Sequence, residues 1–178
     1  LRKCFPNTEI SFLGITFIDP SFEEAFQSNN QIPDSLSIVR DMDSKSAGIL
    51  QGYKGEVTIL GERLPRWFDS VYSESAWESV SFPDVTVLTT NMANSMLSKE
   101  DGHVRFPNVT SISEKVSKKF IGTEEHHLQG LSLPKLFQIS PKSLGHLTTH
   151  IPLVEVGPLP WTGKEVKAIQ GEEGDLII

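Results

Sequence analysis

The chain has one cysteine, Cys4, in 178 residues, so it can form no internal disulfide. That excludes a small secreted scaffold held by disulfides and makes a reducing compartment the expectation. Long apolar runs are also missing. The longest, Phe12 to Ile18, is interrupted by Gly14 and Thr16 and falls far short of the roughly 20 residues a membrane-spanning helix needs. Pro6 and Glu9 break the stretch behind Arg2 and Lys3, so no signal peptide is read there, and the expected location is intracellular and cytoplasmic. Positive charge is scarce: 16 Lys and Arg stand against 23 Asp and Glu, a net charge of −7. This argues against nucleic acid as a partner, except through a local basic patch, because such binding is driven by cations neutralising phosphates. The deficit is uneven, since residues 1–89 carry −6 while Gly102 to Leu153 carries +3. No G-x-x-x-x-G-K-[ST], G-x-G-x-x-G or G-x-S-x-G occurs, so nucleotide cradles and the nucleophile elbow lack their backbone signatures. No period of roughly 20 to 50 residues stands out.

What is present is globular composition, with 38% apolar and 22% charged residues and ten Phe, enough for a packed core in one domain over residues 1–178. Alternation predicts strands at Glu9 to Ile18, with a bulge at Gly14, at Ser35 to Asp41 and at Glu56 to Leu60. Asp84 to Thr90 (DVTVLTT) is an unbroken β-branched run and reads as a buried strand, with His103 to Phe106 as an edge strand. Helical spacing predicts helices over DPSFEEAFQ from Asp19, over Pro65 to Val80, and over Val109 to Phe120, where Ser111 and Glu114 have capping-box spacing and Asn108 reads as the N-cap. Prolines at 134, 141, 152, 158 and 160 leave short strands and loops in the last third. The expected fold is α+β, with a mostly antiparallel or mixed sheet, two or three helices packed on it, and a loop-rich C-terminal third.

Four of the five histidines fall between His126 and His150. Zinc takes about four ligands, and His146 and His150 have the spacing that a helix presents on one face. Gly145, the paired Thr148 and Thr149, and Pro152 argue for extended chain instead, in which those two Cα atoms lie roughly 13 Å apart. His126 is the third candidate ligand for such a site. Solvated or hydrogen-bonded histidines with no metal are the simpler expectation.

Asp41-Met42-Asp43 follows the apolar Leu36, Ile38 and Val39, and Val87 to Asn91 reads VLTTN. A strand ending in D-x-D and a second ending in Thr resemble two motifs of the haloacid-dehalogenase-type phosphohydrolases. The resemblance covers about a dozen residues. It implies Asp41 as the nucleophile on phosphorus, Asp43 as acid and base, Thr89 or Thr90 as a phosphate ligand, and Mg²⁺ bridging carboxylate and phosphate. Arg40 before the first aspartate, Ser44 and Lys45 after the second, and the lack of a later acidic pair depart from the pattern.

Two features point to binding. Trp161, in PLPWTG, is the candidate exposed anchor, tryptophan being enriched at interface hot spots. Lys115, Lys118 and Lys119 form a basic helix face that would suit an acidic partner, although a solvated face explains them as well. The functional expectation is a non-enzymatic interaction or assembly protein with no cofactor, binding protein or itself. The alternatives are a viral matrix-like assembly protein, against which the acidic balance argues, and a metal-dependent hydrolase using Zn or Mg.

Overall fold

Three stretches, VSFPDVTVLT from Val80, VRFPNVTSIS from Val104 and LSLPKLFQIS from Leu131, place apolar residues, a proline and a terminal hydroxyl side chain at the same ten positions. A computed structural model shows what this template builds; it describes residues 10–12, 35–39, 41–121, 128–160 and 175–177. The first and third positions, such as Val80 and Phe82, point inward from a strand and are buried. Proline at the fourth has no N–H to continue the ladder, so pairing stops there. The chain then turns, with the N–H of the sixth residue donating to the carbonyl of the third: Val85 to Phe82 at 3.3 Å, Val109 to Phe106 at 3.4 Å and Leu136 to Leu133 at 2.9 Å. The sixth and ninth residues are again buried. The tenth caps a helix, as Thr89 Oγ1 accepts from Met92 N at 3.2 Å, Ser113 Oγ from Val116 N at 3.3 Å and Ser140 Oγ from Ser143 N at 3.1 Å.

Each of these three coils thus supplies one short strand and one helical turn. The strands are β1 (Ile10–Phe12), β2 (Ser35–Val39), β3 (Glu56–Leu60), β4 (Ser79–Ser81), β5 (His103–Arg105), β6 (Gly130–Leu133), β7 (Leu153–Val156) and β8 (Asp175–Ile177). They form one eight-stranded sheet in chain order, every neighbouring pair parallel. Between them lie α1 (Ser44–Ile49), α2 (Phe68–Tyr72), α3 (Thr90–Met96), α4 (Glu114–Ser117, continued as a 3₁₀ turn over Lys118–Ile121) and α5 (Pro141–His150), each packed on the next. The repeat runs from 21 residues, Leu36 to its register partner Val57, to 27, Val104 to Leu131. A strand order that never reverses, with helices stacked in the same order, is a solenoid. Among the described residues no helix is long and apolar enough to cross a membrane.

The core is a set of stacked rungs: Leu36, Val57, Val80, Val104, Leu131 and Val154 in one, and Ile38, Ile59, Phe82, Phe106, Leu133 and Val156 in the next, all buried. Phe82 stacks on Phe106 at 5.2 Å and meets Phe68 edge-on at 5.5 Å, and Phe68 stacks on Tyr72 at 4.8 Å. A polar ladder joins the coils at the residue after the fourth position. Asp84 Oδ2 accepts from the N–H of Gly61, whose φ of 130° suits glycine. Asn108 Nδ2 donates to the Pro83 carbonyl at 2.7 Å, and Lys135 Nζ to Asn108 Oδ1 at 2.6 Å.

The architecture is therefore α/β with an all-parallel sheet, not α+β with an antiparallel or mixed one. Alternating strands usually mark antiparallel sheets, because most parallel strands are covered on both faces; a solenoid covers only one. The C-terminal third is not loop-rich where described, for β6, α5 and β7 occupy most of 130–156. The Asp84 to Thr90 stretch is no strand but turn and helix start, with Val85 and Leu88 buried and Val87 69% exposed, a three-residue period set by the turn. The Pro65 to Val80 helix shrinks to α2, and Val80 is the centre of β4. The Val109 to Phe120 helix begins only at Glu114, capped by Ser113, not by Asn108. His103 to Arg105 is an interior strand, paired on both sides. The expected helix from Asp19 lies outside the described residues.

Candidate functional site

The residues between the inward-pointing rungs face the other way. In register, they form two rows across the sheet: Glu56, Ser79, His103, Gly130 and Leu153 in one, and Thr58, Ser81, Arg105, Ser132 and Glu155 in the other. Glu56, His103 and Arg105 are exposed, and Ser79, Ser81, Ser132 and Glu155 half-buried. This face is small and hydroxylic at β4 and β6, basic at β5 through His103 and Arg105, and carries an acid on either side, Glu56 on β3 and Glu155 on β7.

A groove of about 300 Å³ runs over β3 to β7, lined by Glu56, Ser79, His103, Arg105, Ser132 and Glu155 among others. Gly130 makes room for the His103 ring: a Cβ there would sit 2.3 Å from His103 Nδ1 and 3.0 Å from Cε1, so the imidazole occupies the place a side chain would take. Ser132 Oγ–H donates to Glu155 Oε2, which holds that carboxylate in place. Arg105 has Ser81 and Ser132 as its register neighbours, and among the described residues no carboxylate pairs with its guanidinium. The site thus presents a guanidinium fork, a hydroxyl on Ser81 and an imidazole, which can hold an oxyanion.

The residues singled out from sequence fall elsewhere. Asp43 is the N-cap of α1: its Oδ1 accepts from Lys45 N at 3.0 Å and Ser46 N at 3.1 Å, and its Oδ2 from the Ser46 hydroxyl. The Ser46 hydrogen bonds hold its carboxyl below the usual range, which keeps it ionised and makes it a poor general acid. Asp41 lies in the turn before α1, and Thr89 caps α3 while Thr90 opens it. The two motifs occupy turns that follow β2 and β4, with β3 between them, whereas doubly wound sheets bind ligands where their strand order reverses.

His146 and His150 are both on α5, so the extended conformation expected for them is corrected: Ser140 capping and Pro141 in the first turn start a helix that runs through Gly145 and both threonines. Thr148 and Thr149 return their hydroxyls to the carbonyls of Leu144 and Gly145, which satisfies them within the helix. His146 is half-buried with Nδ1 shielded and without a hydrogen bond, and His150 is exposed. Among the described residues no group of three His, Cys, Asp or Glu is placed to hold a metal ion. His126 and Trp161 lie outside the described residues, as does Cys4. The other two tryptophans are core, Trp77 bonding through Nε1 to the Leu50 carbonyl at 2.7 Å and Trp67 being 5% exposed. Lys115, Lys118 and Lys119 are exposed on the α4 side. Glu114 takes Lys118 at 2.8 Å and Lys142, from α5, at 3.0 Å; these contacts pull its carboxyl down to about 2.

A second hollow lies beside Asp41, Arg63, Arg66 and Trp67. The Trp67 indole N–H has no partner but is shielded from solvent, so it offers no donor there. Sequence reading missed His103, Arg105, Gly130, Ser132 and Glu155 as a group. The signal for them was the second residue of each repeated V-x-F or L-x-L, the one that points away from the core. No protein-family model matches the chain, and no curated protein or solved structure matches it significantly.

Proposed function

We propose that this chain is a non-catalytic binding module that holds a protein partner against the open face of its sheet, over β4 to β7. The observation that carries this reading is Arg105, an exposed cation with no ion pair among the described residues, flanked by Ser81 and Ser132. An exposed charge needs no partner for stability, but its placement among serines, with an acid on either side, gives the face a charge pattern that a partner can read. Solenoids use such extended surfaces for recognition. The 21- to 27-residue repeat of strand and helical turn has the layout of leucine-rich-repeat solenoids. It departs from their consensus in carrying Val85, Val109 and Leu136 where that consensus has Asn or Cys. The single cysteine supports an intracellular, cytoplasmic setting.

The test is site-specific photo-cross-linking in cells that express the protein, with a benzophenone side chain at Ser81 on the face or at Lys115 on α4. A discrete adduct from Ser81, lost when Ser132→Trp fills the face, is the expected result, and its mass tells a hetero-partner from a second copy. No adduct from Ser81, whatever Lys115 yields, overturns the reading.

A further inference from the structure

We propose that Arg105, His103 and the serines around them form a receptor for a single carboxylate, contributed by an acidic side chain of the protein partner. This rests on the reading of the sheet face as the partner surface. Ser81 and Arg105 are in register and His103 lies in the neighbouring row with its ring over Gly130, so a hydroxyl, a guanidinium and an imidazole offer donors there, while Ser132 already gives its proton to Glu155. A guanidinium takes a carboxylate through two parallel N–H donors, and a flanking hydroxyl can bond a remaining lone pair.

Charge selects the class of anion. Glu56 lies two strands away from Arg105, roughly 10 Å at the usual strand spacing, whereas Glu155, two strands away on the other side, reaches back with its carboxylate to Ser132 on the strand next to Arg105. The Glu155 carboxylate is thus the nearer acid and is felt at the centre of the patch, while Glu56, beyond the Debye length of about 8 Å at physiological salt, is largely screened. One guanidinium between two acids suits a monoanion and disfavours a phosphate dianion, whose recognition draws on clustered arginines. Shape selects the source. Sites for small molecules enclose 70–90% or so of the ligand, but this groove lies open on a sheet face, so a free acid would remain largely in water. An acid carried on a protein surface brings with it the rest of the contact.

The receptor predicts a measurable, weak affinity for the isolated group. Blocked glutamate (N-acetyl-glutamic acid amide), blocked glutamine and inorganic phosphate would be titrated into the intact protein while the Arg105 side-chain NMR resonances are followed. Blocked glutamate is expected to shift them saturably, blocked glutamine not at all, and phosphate to bind no more tightly than blocked glutamate. Arg105→Gln should weaken the carboxylate at least tenfold. Arg105→Lys, which keeps the charge and loses the fork, should recover only part of that. Absence of a saturable shift, equal binding by Arg105→Gln, or phosphate binding tenfold tighter each overturns the receptor. If Ser81 still cross-links a partner in any of those cases, the partner surface stands and only its chemistry was wrong; if Ser81 also yields no adduct, both fall.

Discussion

The two sides of each strand obey different rules, and the contrast is sharpest between Ser81 and Phe82. Phe82 points inward, where its equivalents in other coils are Ile38, Ile59, Phe106, Leu133 and Val156, all apolar and buried. Ser81 points outward, where its equivalents are Thr58, Arg105, Ser132 and Glu155, unlike in size and charge. Inward positions repeat because each packs on its own equivalent in the next coil, and an ill-fitting side chain there disturbs two neighbours. Outward positions have individual contacts, such as Ser132 with Glu155 and the His103 ring over Gly130, and no stack of like on like makes them alike. On the helical side Lys118 and, from α5, Lys142 clasp Glu114, while among the described residues Arg105 has no such acid.

The largest effect that would break this comparison is Phe82→Ala, expected to cost about 3–5 kcal/mol, against a change within roughly 0.5 kcal/mol for Ser81→Ala next to it. Urea denaturation of the two variants measures this, and similar losses would show that the two sides are not distinct. A smaller effect has the opposite sign. Tyr72 is buried and stacked on Phe68, yet its hydroxyl has no hydrogen-bond partner, and burial pushes its ionisation up. Tyr72→Phe removes an unsatisfied polar atom and keeps the ring, including its contact with the Lys99 ammonium 5.6 Å from the centroid. It should stabilise the protein by about 1 kcal/mol, and a fall in melting temperature would mean the hydroxyl is satisfied in solution.

The smallest effect concerns Glu114. Its carboxyl sits at about 2 instead of the usual 4.5, first because of the Lys118 hydrogen bond and then that from Lys142. A depressed carboxyl contributes stability above its unfolded value, and that contribution fades as pH falls from 4.5 towards about 2. The side chain is exposed, so solvent screening keeps the contribution slight. The denaturation midpoints of wild type and Glu114→Gln should therefore differ by a small constant amount above pH 4.5 and converge near pH 2. A difference that persists at the lower pH would assign it to something other than the ion pairs.

Part of this was legible in the chain. SLSIVRD and EVTIL read as strands and are β2 and β3, because period-two alternation reports a half-buried strand whatever its partners. The direction of pairing was not legible, since alternation looks the same in a parallel solenoid and an antiparallel sheet. The repeat was hidden by uneven spacing: Val80 and Val104 lie 24 residues apart, but Val104 and Leu131 lie 27 apart, the extra residues falling between α4 and β6. VTVLTT misled because β-branched residues fit a tight apolar turn as well as a strand. The stripe from Phe68 to Val80 misled because a five-residue helix and the strand after it happen to share a helical spacing. LGHLTTH read as extended from propensity, but packing of Leu144 and Leu147 in the core outweighs the weak helix preference of glycine and threonine. In the candidate site, His103 and Arg105 are visible as a pair two residues apart, whereas nothing local connects them to Gly130, Ser132 or Glu155.

The local order of the coils that start at β4, β5 and β6 is set in their ten-residue template: two inward residues make the strand, proline ends it, two more apolar residues turn the corner, and Thr89, Ser113 or Ser140 starts the helix. Those choices depend on φ, on missing or spare hydrogen-bond donors and on side-chain period, all of which are properties of neighbouring residues. Which outward side chains share a surface was decided only when the coils stacked. Arg105 and Ser132 are 27 residues apart in the chain and adjacent in the sheet because the parallel ladder places them in register. That ladder also put Gly130 beneath the His103 ring, an arrangement that belongs to the hydrogen bonds between strands and to neither strand alone.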